Sequence, residues 1–552
     1  MSIYPTRTAA HLAVAGVVVF GVGIALREAV VVAWGGAVLA AVALARAVTL
    51  VSVMRIRSAG FEMLWTGSAR VKKTRPGGVV TLLAEVRNRD TLAARYDKLR
   101  VVASPALQTW VEPLAGEVPA TGSVKLQIHV RALRVGYHGV YGLALEVRGA
   151  PGLFEVPLTF ANPYGIEVLP RALARPLTLP HGGRSRTMAM AGRAGRQRGD
   201  GTDLHELREH LPGDSFRRIA WKASAKRGRL VVKEFEREER DVVMLVLDCS
   251  VELWSGPMGG SPLDRAIDLC ATLAVHHVGK GDSIGLSMVG ARELCRLDPD
   301  HGRQQASRIV AALMEHAGVL DADRCGWDDS DIAVQVTEHL RPLDPRAVSD
   351  LRHNRIDKLV KRADGMLGHA PFTRPLPNGK NPSDARLRRY AASFGLHVPP
   401  RLEPDGERTA AQLIETLHDL SRHHKKKHRV SIVHVLAPPP PEGIAEEQLK
   451  KAVRKLKARG IQVRWTTPPV ATPLDFVEPP PEGVAEPPPS PADELTARLP
   501  IVERVVVMRA ALANRRGEQR LRKLGVKVVR SQRTKRRRRP RAQAAASEEQ
   551  VA

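Results

Sequence analysis

Cysteine is scarce in this chain. Only Cys249, Cys270, Cys295 and Cys325 occur in 552 residues, widely spaced and with no C-x-x-C pair. That spacing excludes a disulfide-built scaffold and a cysteine zinc knuckle. Inside apolar or helical patterns they read as buried free thiols in a reducing compartment, which places this part of the chain in the cytoplasm. No G-x-x-x-x-G-K-[ST] run is present, so a P-loop nucleotide site is excluded as well. Acidic residues are in deficit: 58 Asp and Glu stand against 85 Lys and Arg, a formal charge of +27. From Ile501 onward 16 basic residues face 4 acidic ones, 16 minus 4 giving +12, so a large part of the excess belongs to one tail. Such a tail suits nucleic acid, anionic lipid or an acidic partner. Aromatic residues are missing from GGRSRTMAMAGRAGRQRGDG. Without rings to stack bases, this Gly/Arg-rich segment (residues 171–201) reads as a flexible linker rather than an RNA binder.

A chain of this length exceeds one ordinary core and predicts two or three folded units. Residues 9–26 carry no charge, and after Arg27 and Glu28 a second apolar run reaches Ala45. The runs amount to ~27 and ~25 Å of helix, close to the ~30 Å hydrocarbon core, and predict a transmembrane hairpin over residues 1–57. A signal peptide competes for the first run, but a second apolar segment follows at once. Arg46 is placed at the interface, where it can snorkel. Arg7 before the hairpin and Arg46, Arg55 and Arg57 after it put both termini in the cytoplasm, the membrane being the inner one. Ala33, Ala37, Ala41 and Ala45 form a small-residue face on which the two helices, or two protomers, would pack.

Over residues 58–170 the pattern changes to short alternating segments such as VVTLLAEV, SVKLQIHV and VYGLALEV, separated by turn residues. Period-two alternation predicts an antiparallel β-sandwich-like domain, with spacing or protein contact as its role. In the turn LPGDS, Asp214 is the expected N-cap of a helix starting near Phe216 and stopped by Gly228. Phe216, Ile219, Ala220 and Ala223 share one face of that helix, while Arg217, Arg218, Lys222 and Lys226 lie elsewhere around it. The strand RLVVKEF, the charged connector EREERD and the apolar strand VVMLVLD follow. Helices and strands then alternate to about residue 470, which predicts a doubly wound α/β domain over 202–470. Residues 341–407 break the rhythm and read as an insertion. A Pro-rich linker (471–495), a helical or mixed segment (496–530) and a basic disordered tail (531–552) complete the chain.

VVMLVLD ends in Asp248-Cys249-Ser250. In a doubly wound sheet ligands collect at the carboxyl ends of strands, and a carboxylate followed two residues later by a hydroxyl can hold Mg2+ with water completing its shell. The alternative is that Asp248 accepts hydrogen bonds from nearby backbone amides.

The run GDGTDLHELREHLPGDSFRRIAWKASAKRGRLVVKEFEREERDVVMLVLDCS resembles the signature of a bacterial family catalogued as domain of unknown function 58. The resemblance implies a membrane hairpin, a β-rich segment and a domain similar to von Willebrand factor A, acting in protein assembly with a MoxR-type AAA+ ATPase. It implies a metal-ion-dependent adhesion site in which Asp248 and Ser250 match the first loop, Glu252 takes the position of the second serine, and Ser330 stands in for a threonine. The later aspartate of that pattern is missing, because RVSIVHVL runs into Ala437 and prolines. Ala220 also replaces the acidic or amide residue expected before Trp221. Candidate partner-binding residues are Asp214, Arg218, Trp221 and Lys222. The Trp221 helix and RLVVKEF are expected to dock the α/β domain toward its membrane-side neighbour.

The enzyme class is weaker. An aspartyl-phosphate enzyme needs a second Asp where Ser250 stands, and a cysteine phosphatase needs an Arg soon after the nucleophile, where SVELWSG follows Cys249. A metal-dependent hydrolase at Asp248 remains the lesser alternative. His418, His423, His424 and His428 read as a solvated basic helix end, and the neighbours His276 and His277 diverge by about 100° on a helix and cannot share an ion.

Overall fold

The computed structural model describes residues 3–148, 151–171, 193–239, 241–318, 320–343, 356–422, 430–440, 443–468 and 500–529. The Pro-rich linker, the basic tail, residues 172–192 of the Gly/Arg segment, and His423, His424 and His428 lie outside these residues.

Two N-terminal helices, α1 (Arg7–Leu26) and α2 (Ala29–Gly60), are long and apolar enough to cross a membrane. The Thr6 hydroxyl caps α1, and Arg27 at φ 58° reverses the chain in two residues. The helices meet through glycine rather than through the alanine face: a Cβ on Gly35 would lie 2.4 Å from the Phe20 backbone nitrogen. Of the four alanines only Ala45 is buried, packed with Ala9 and Phe154, while Ala33, Ala37 and Ala41 point outward.

α2 passes directly into a β-sandwich. One antiparallel sheet has the order β2 (Phe61–Trp65), β4 (Val79–Asn88), β8 (Ser123–Ala132), β6 (Leu107–Glu112). The other has the order β1 (Tyr4–Pro5), β10 (Phe154–Val168), β9 (Gly136–Arg148), β5 (Ala94–Ala103), β7 (Gly116–Val118), with β3 (Val71–Thr74) beside β10. Alternate residues point inward, as in β8, where Leu126, Ile128, Val130 and Ala132 join Leu143, Val147 and Ile166 in one core.

A two-stranded ribbon follows: β11 (Arg193–Glu209) pairs antiparallel with β12 (Val231–Glu239). Residues 193–201 are therefore strand rather than linker, and EREE extends β12 rather than connecting elements. At the ribbon tip Asp214 does not cap a helix. Its carboxylate accepts from the Leu211 backbone N–H (2.8 Å) and from Arg208 (2.6 and 2.7 Å), closing a tight turn in which Gly213 adopts φ 103°. Phe216–Arg218 is a single 3-10 turn. Ile219 then bridges Val232 and Ala220 N–H donates to Val231 O (2.8 Å), so helix α3 begins only at Trp221 (Trp221–Arg227) and stops at Gly228.

The α/β unit contains β13 (Val242–Asp248), α4 (Pro262–Gly279), β14 (Ser283–Val289), β15 (Glu293–Asp300) and α5 (Arg303–His316). After α6 (Asp329–Leu343), α7 (Ile356–Met366) and α8 (Pro382–Phe394), it continues with α9 (Gly406–Arg422), β16 (Ile432–Leu436), α10 (Ile444–Ala458) and β17 (Gln462–Thr466). Beyond the Pro-rich segment, α11 (Pro500–Lys523) leads to β18 (Lys527–Val528) at the sheet edge. Strand order is β15-β14-β13-β16-β17-β18, parallel except for β15. The pleat sorts β13: Val243, Leu245 and Leu247 pack with residues of α4 and α5, and Met244 and Val246 with residues of α9 and α10. The segment read as an insertion contributes α7 and α8, which with α6 build a core of their own around Val336, Leu340, Leu359, Tyr390 and Phe394.

The joint with the sandwich is not made by the Trp221 helix. It is made by Arg134, buried between β8 and β9, which binds both carboxylate oxygens of Asp264 (2.9 and 3.2 Å) and lies 4.6 Å over the Trp254 ring. Ser104 and Tyr141 add hydrogen bonds to the Gly395 carbonyl (2.5 and 2.7 Å).

Candidate functional site

β13 is followed in sequence by β14 on one side, while β16 pairs on its other side, so strand order reverses next to the carboxyl end of β13. Ligands of parallel α/β sheets gather at such an edge. Asp248 occupies it, 8% exposed, and the chain turns through Cys249 and Ser250 into a short 3-10 turn, Val251–Trp254.

Three side chains hold this loop through its backbone, and a fourth reaches out from it. Asp248 Oδ1 accepts from Ser250 N–H (2.7 Å), and Asp405 Oδ1 accepts from Val251 N–H (2.9 Å). Arg324 Nη2 donates to Cys249 O (2.9 Å). In return Glu252 Oε1 accepts from Gly406 N–H (2.7 Å), at the first turn of α9. The Asp248 loop and the Asp405-Gly406 segment are thus stapled to each other from both sides. Arg324 is 3% exposed, its Nε has no partner among the described residues, and its own carbonyl accepts from Arg401 N–H (2.8 Å). The Thr409 hydroxyl, buried one turn along α9, also has no partner among the described residues.

Burial pushes the Asp248 carboxyl up to about 6, against the pull of its hydrogen bonds from Ser250. Burial and the hydrogen bond shared with Glu252 likewise raise Asp405 to about 6. Two carboxyls that resist ionisation meet here, Asp248 at the end of β13 and Asp405 just before α9; such shifts occur at functional sites and in structural networks alike. Cys249 is no nucleophile, because burial pushes its thiol up to about 12.

The residues expected to hold an ion are not gathered around one point. Ser250 stays with Asp248, but Glu252 is turned onto Gly406, and Ser330 stands on the first turn of α6 with its hydroxyl donating to Asp328 (2.6 Å). Among the described residues no three His, Cys, Asp or Glu side chains are placed to hold a metal. These residues do not fit the cage of oxygens that a Mg2+ site would need. Sequence reading missed Asp405 and Arg324. They reach the loop from 154 and 75 residues away, and the one signal was the helix start at Pro404-Asp405-Gly406.

A second candidate surface is the ribbon tip. Phe216 is 72% and Trp221 63% exposed, with Leu211 and Leu230 also exposed, and Arg217, Lys222, Lys226, Arg227 and Arg229 surround them. Residues 208–230 carry seven Lys/Arg against two Asp/Glu, 7 minus 2 giving +5. Lys222 and Arg218 flank Trp221, while Asp214 is committed to the turn through Arg208 and Leu211.

No curated protein matches this chain. Among solved structures it is similar to PapD-like domain 7 of human CEP192, at 16% identity over 20% of this chain and 86% of that one, with a TM-score of 0.16. Similarity also extends to the CupB2 chaperone of Pseudomonas aeruginosa, at 14% identity over 19% and 55% of the two chains and a TM-score of 0.13. A third is WR4, a C. elegans MSP family member, at 10% identity over 20% and 96% and a TM-score of 0.14. The family signal falls on the ribbon tip, the Asp248 edge and α6 together: residues 206–358 match the model of the family described as Protein of unknown function DUF58.

Proposed function

We propose that the protein is a membrane-anchored interaction factor that docks partner proteins through the ribbon tip, with its α/β unit acting as a von Willebrand A-like, doubly wound domain. The observation that carries this reading is the tip itself. Large aromatic side chains left exposed amid basic residues lose solvation free energy that a monomer has no reason to forgo, whereas Trp, Tyr and Arg anchors dominate protein interfaces. Asp214 shapes the tip, Trp221 and Phe216 supply the anchors, and Arg218 and Lys222 supply charge. The Asp248 edge is the second contact face. Both termini lie in the cytoplasm of an inner-membrane protein, and the partner implied by the family resemblance is a MoxR-type AAA+ ATPase.

The test is equilibrium binding between the full chain in lipid nanodiscs and a purified MoxR-type ATPase from the same cell. Phe216→Ser with Trp221→Ser should weaken binding at least ten-fold while leaving the melting temperature unchanged. Equal binding by the double variant refutes the tip as anchor. If a protein truncated before Gln532 loses binding while the tip variant keeps it, the basic tail is the contact instead. Capture of nucleic acid or anionic lipid by that tail would support the reading in which the protein binds those ligands.

A further inference from the structure

We infer that Arg324 is the resident cation of the Asp248 edge, so that the loop is held by an internal guanidinium where a von Willebrand A-like site would hold a divalent ion. This rests on the von Willebrand A-like reading of the α/β unit, while its test is independent of binding at the ribbon tip.

The argument starts from cost. A guanidinium cannot shed its charge, so burying Arg324 at 3% exposure is tolerated only beside compensating charge and acceptors. The residue is placed by backbone rather than by chance. Arg324 N–H donates to Asp321 O (3.1 Å) in its own turn, while Arg324 O accepts from Arg401 N–H and Cys325 bridges Pro400, both on the segment that leads into Asp405. From there Nη2 reaches Cys249 O, the middle residue of the Asp248 loop, while Asp405 takes the amide of Val251 two residues later. The Arg324 charge pulls the Asp405 carboxyl down against the rise caused by burial. One positive group therefore touches the loop at Cys249, between buried Asp248 and the Val251 amide held by half-buried Asp405. One oxygen of each carboxylate is spent on an amide: Asp248 Oδ1 on Ser250, Asp405 Oδ1 on Val251 and Glu252 Oε1 on Gly406.

If the guanidinium is removed, the second oxygens of these carboxylates, together with the Thr409 hydroxyl, which has no partner among the described residues, form an anionic pocket that a small hard cation can enter. The experiment uses the full chain in detergent micelles with Mn2+ as a paramagnetic probe and Mg2+ in thermal unfolding. Wild type should show no saturable Mn2+ binding and the same melting temperature in Mg2+ and in EDTA. Arg324→Gln should melt several degrees lower and recover part of that loss in Mg2+, with Mn2+ bound at a one-to-one ratio. Saturable Mn2+ binding to wild type that Asp248→Asn abolishes overturns the inference. A folded Arg324→Gln protein indifferent to both ions also overturns it. Should that variant fail to fold, Arg324→Gln combined with Asp405→Asn removes one charge of each sign and should restore folding; failure there overturns the pairing.

Discussion

Replacing Arg134 with methionine should separate the sandwich from the α/β unit while preserving each. Methionine roughly retains the volume of the side-chain stem but removes the bidentate bond to Asp264, the contact with Ser261 Oγ at 3.3 Å and the cation over Trp254. Both partners are nearly inaccessible, with side-chain exposures of 9% and 7%, so solvent does not replace the lost interaction. Breaking a buried pair by removing one partner costs about 3–5 kcal/mol, most of it the penalty of leaving the other charge alone. The cation-π contact contributes ~0.5–2 kcal/mol of its own. At roughly 2–4 °C per kcal/mol for a unit of this size, the melting temperature should fall by ~10 °C. Asp264 also caps α4 with Ser261, so Asp264→Asn added to Arg134→Met removes the stranded charge and keeps a capping oxygen. The double variant should regain at least half of the loss. Calorimetry gives the magnitude, and limited proteolysis should find new cleavage between the sandwich and α4. A loss under ~1 kcal/mol in the single variant, or strict additivity in the double one, would refute the reasoning.

Acid should destabilise the fold through its buried imidazoles. Burial lowers His339 from 6.5 to about 4. The unfolded chain therefore binds a proton that the folded chain refuses. The stabilisation is complete above pH 6.5 and is lost as pH falls toward 4, by up to ~3 kcal/mol. His339→Gln, which can keep the bond to the Tyr390 hydroxyl, should flatten the fall between pH 7 and 5 in urea unfolding; an unchanged slope would count against it. Asp248 and Asp405, raised to about 6, bind protons in the folded state first and oppose that trend between pH 6 and 4. Gly406→Ala should expel Glu252 from its amide, since the new Cβ would lie 2.8 Å from Oε1. The loss of one charge-assisted bond, about 1.5–3 kcal/mol, should appear as faster amide exchange at 248–252; unaltered exchange would show that the clamp is dispensable.

The hairpin helices, the sandwich strands and the apolar strand β13 were legible because each carries its own period or length in a single segment. Three features were not. Gly and Arg in residues 193–201 carry no strand signal, and β12 supplies the pairing that makes them strand. Asp214 looked like a cap because helix caps and turns use the same residues, and the rival that won was Arg208, six positions upstream. At the Asp248 edge the sequence showed the carboxylate but not what completes it. Arg324 and Asp405 sit in short segments whose meaning comes only from the chain they fold against.

Strand β10 sets a scale for how the molecule meets its surroundings. Phe154 at its start packs on Ala9 and Ala45 of the helical hairpin, and fourteen steps later Val168 lies close to Arg171, whose backbone N–H donates to Asp268 of α4. At about 3.3 Å per step the strand runs roughly 45 Å along its own path, with a bulge between Ala161 and Tyr164. One strand thus touches the apolar hairpin at its start and reaches the α/β unit at its end, so the sandwich fixes the position of the one relative to the other.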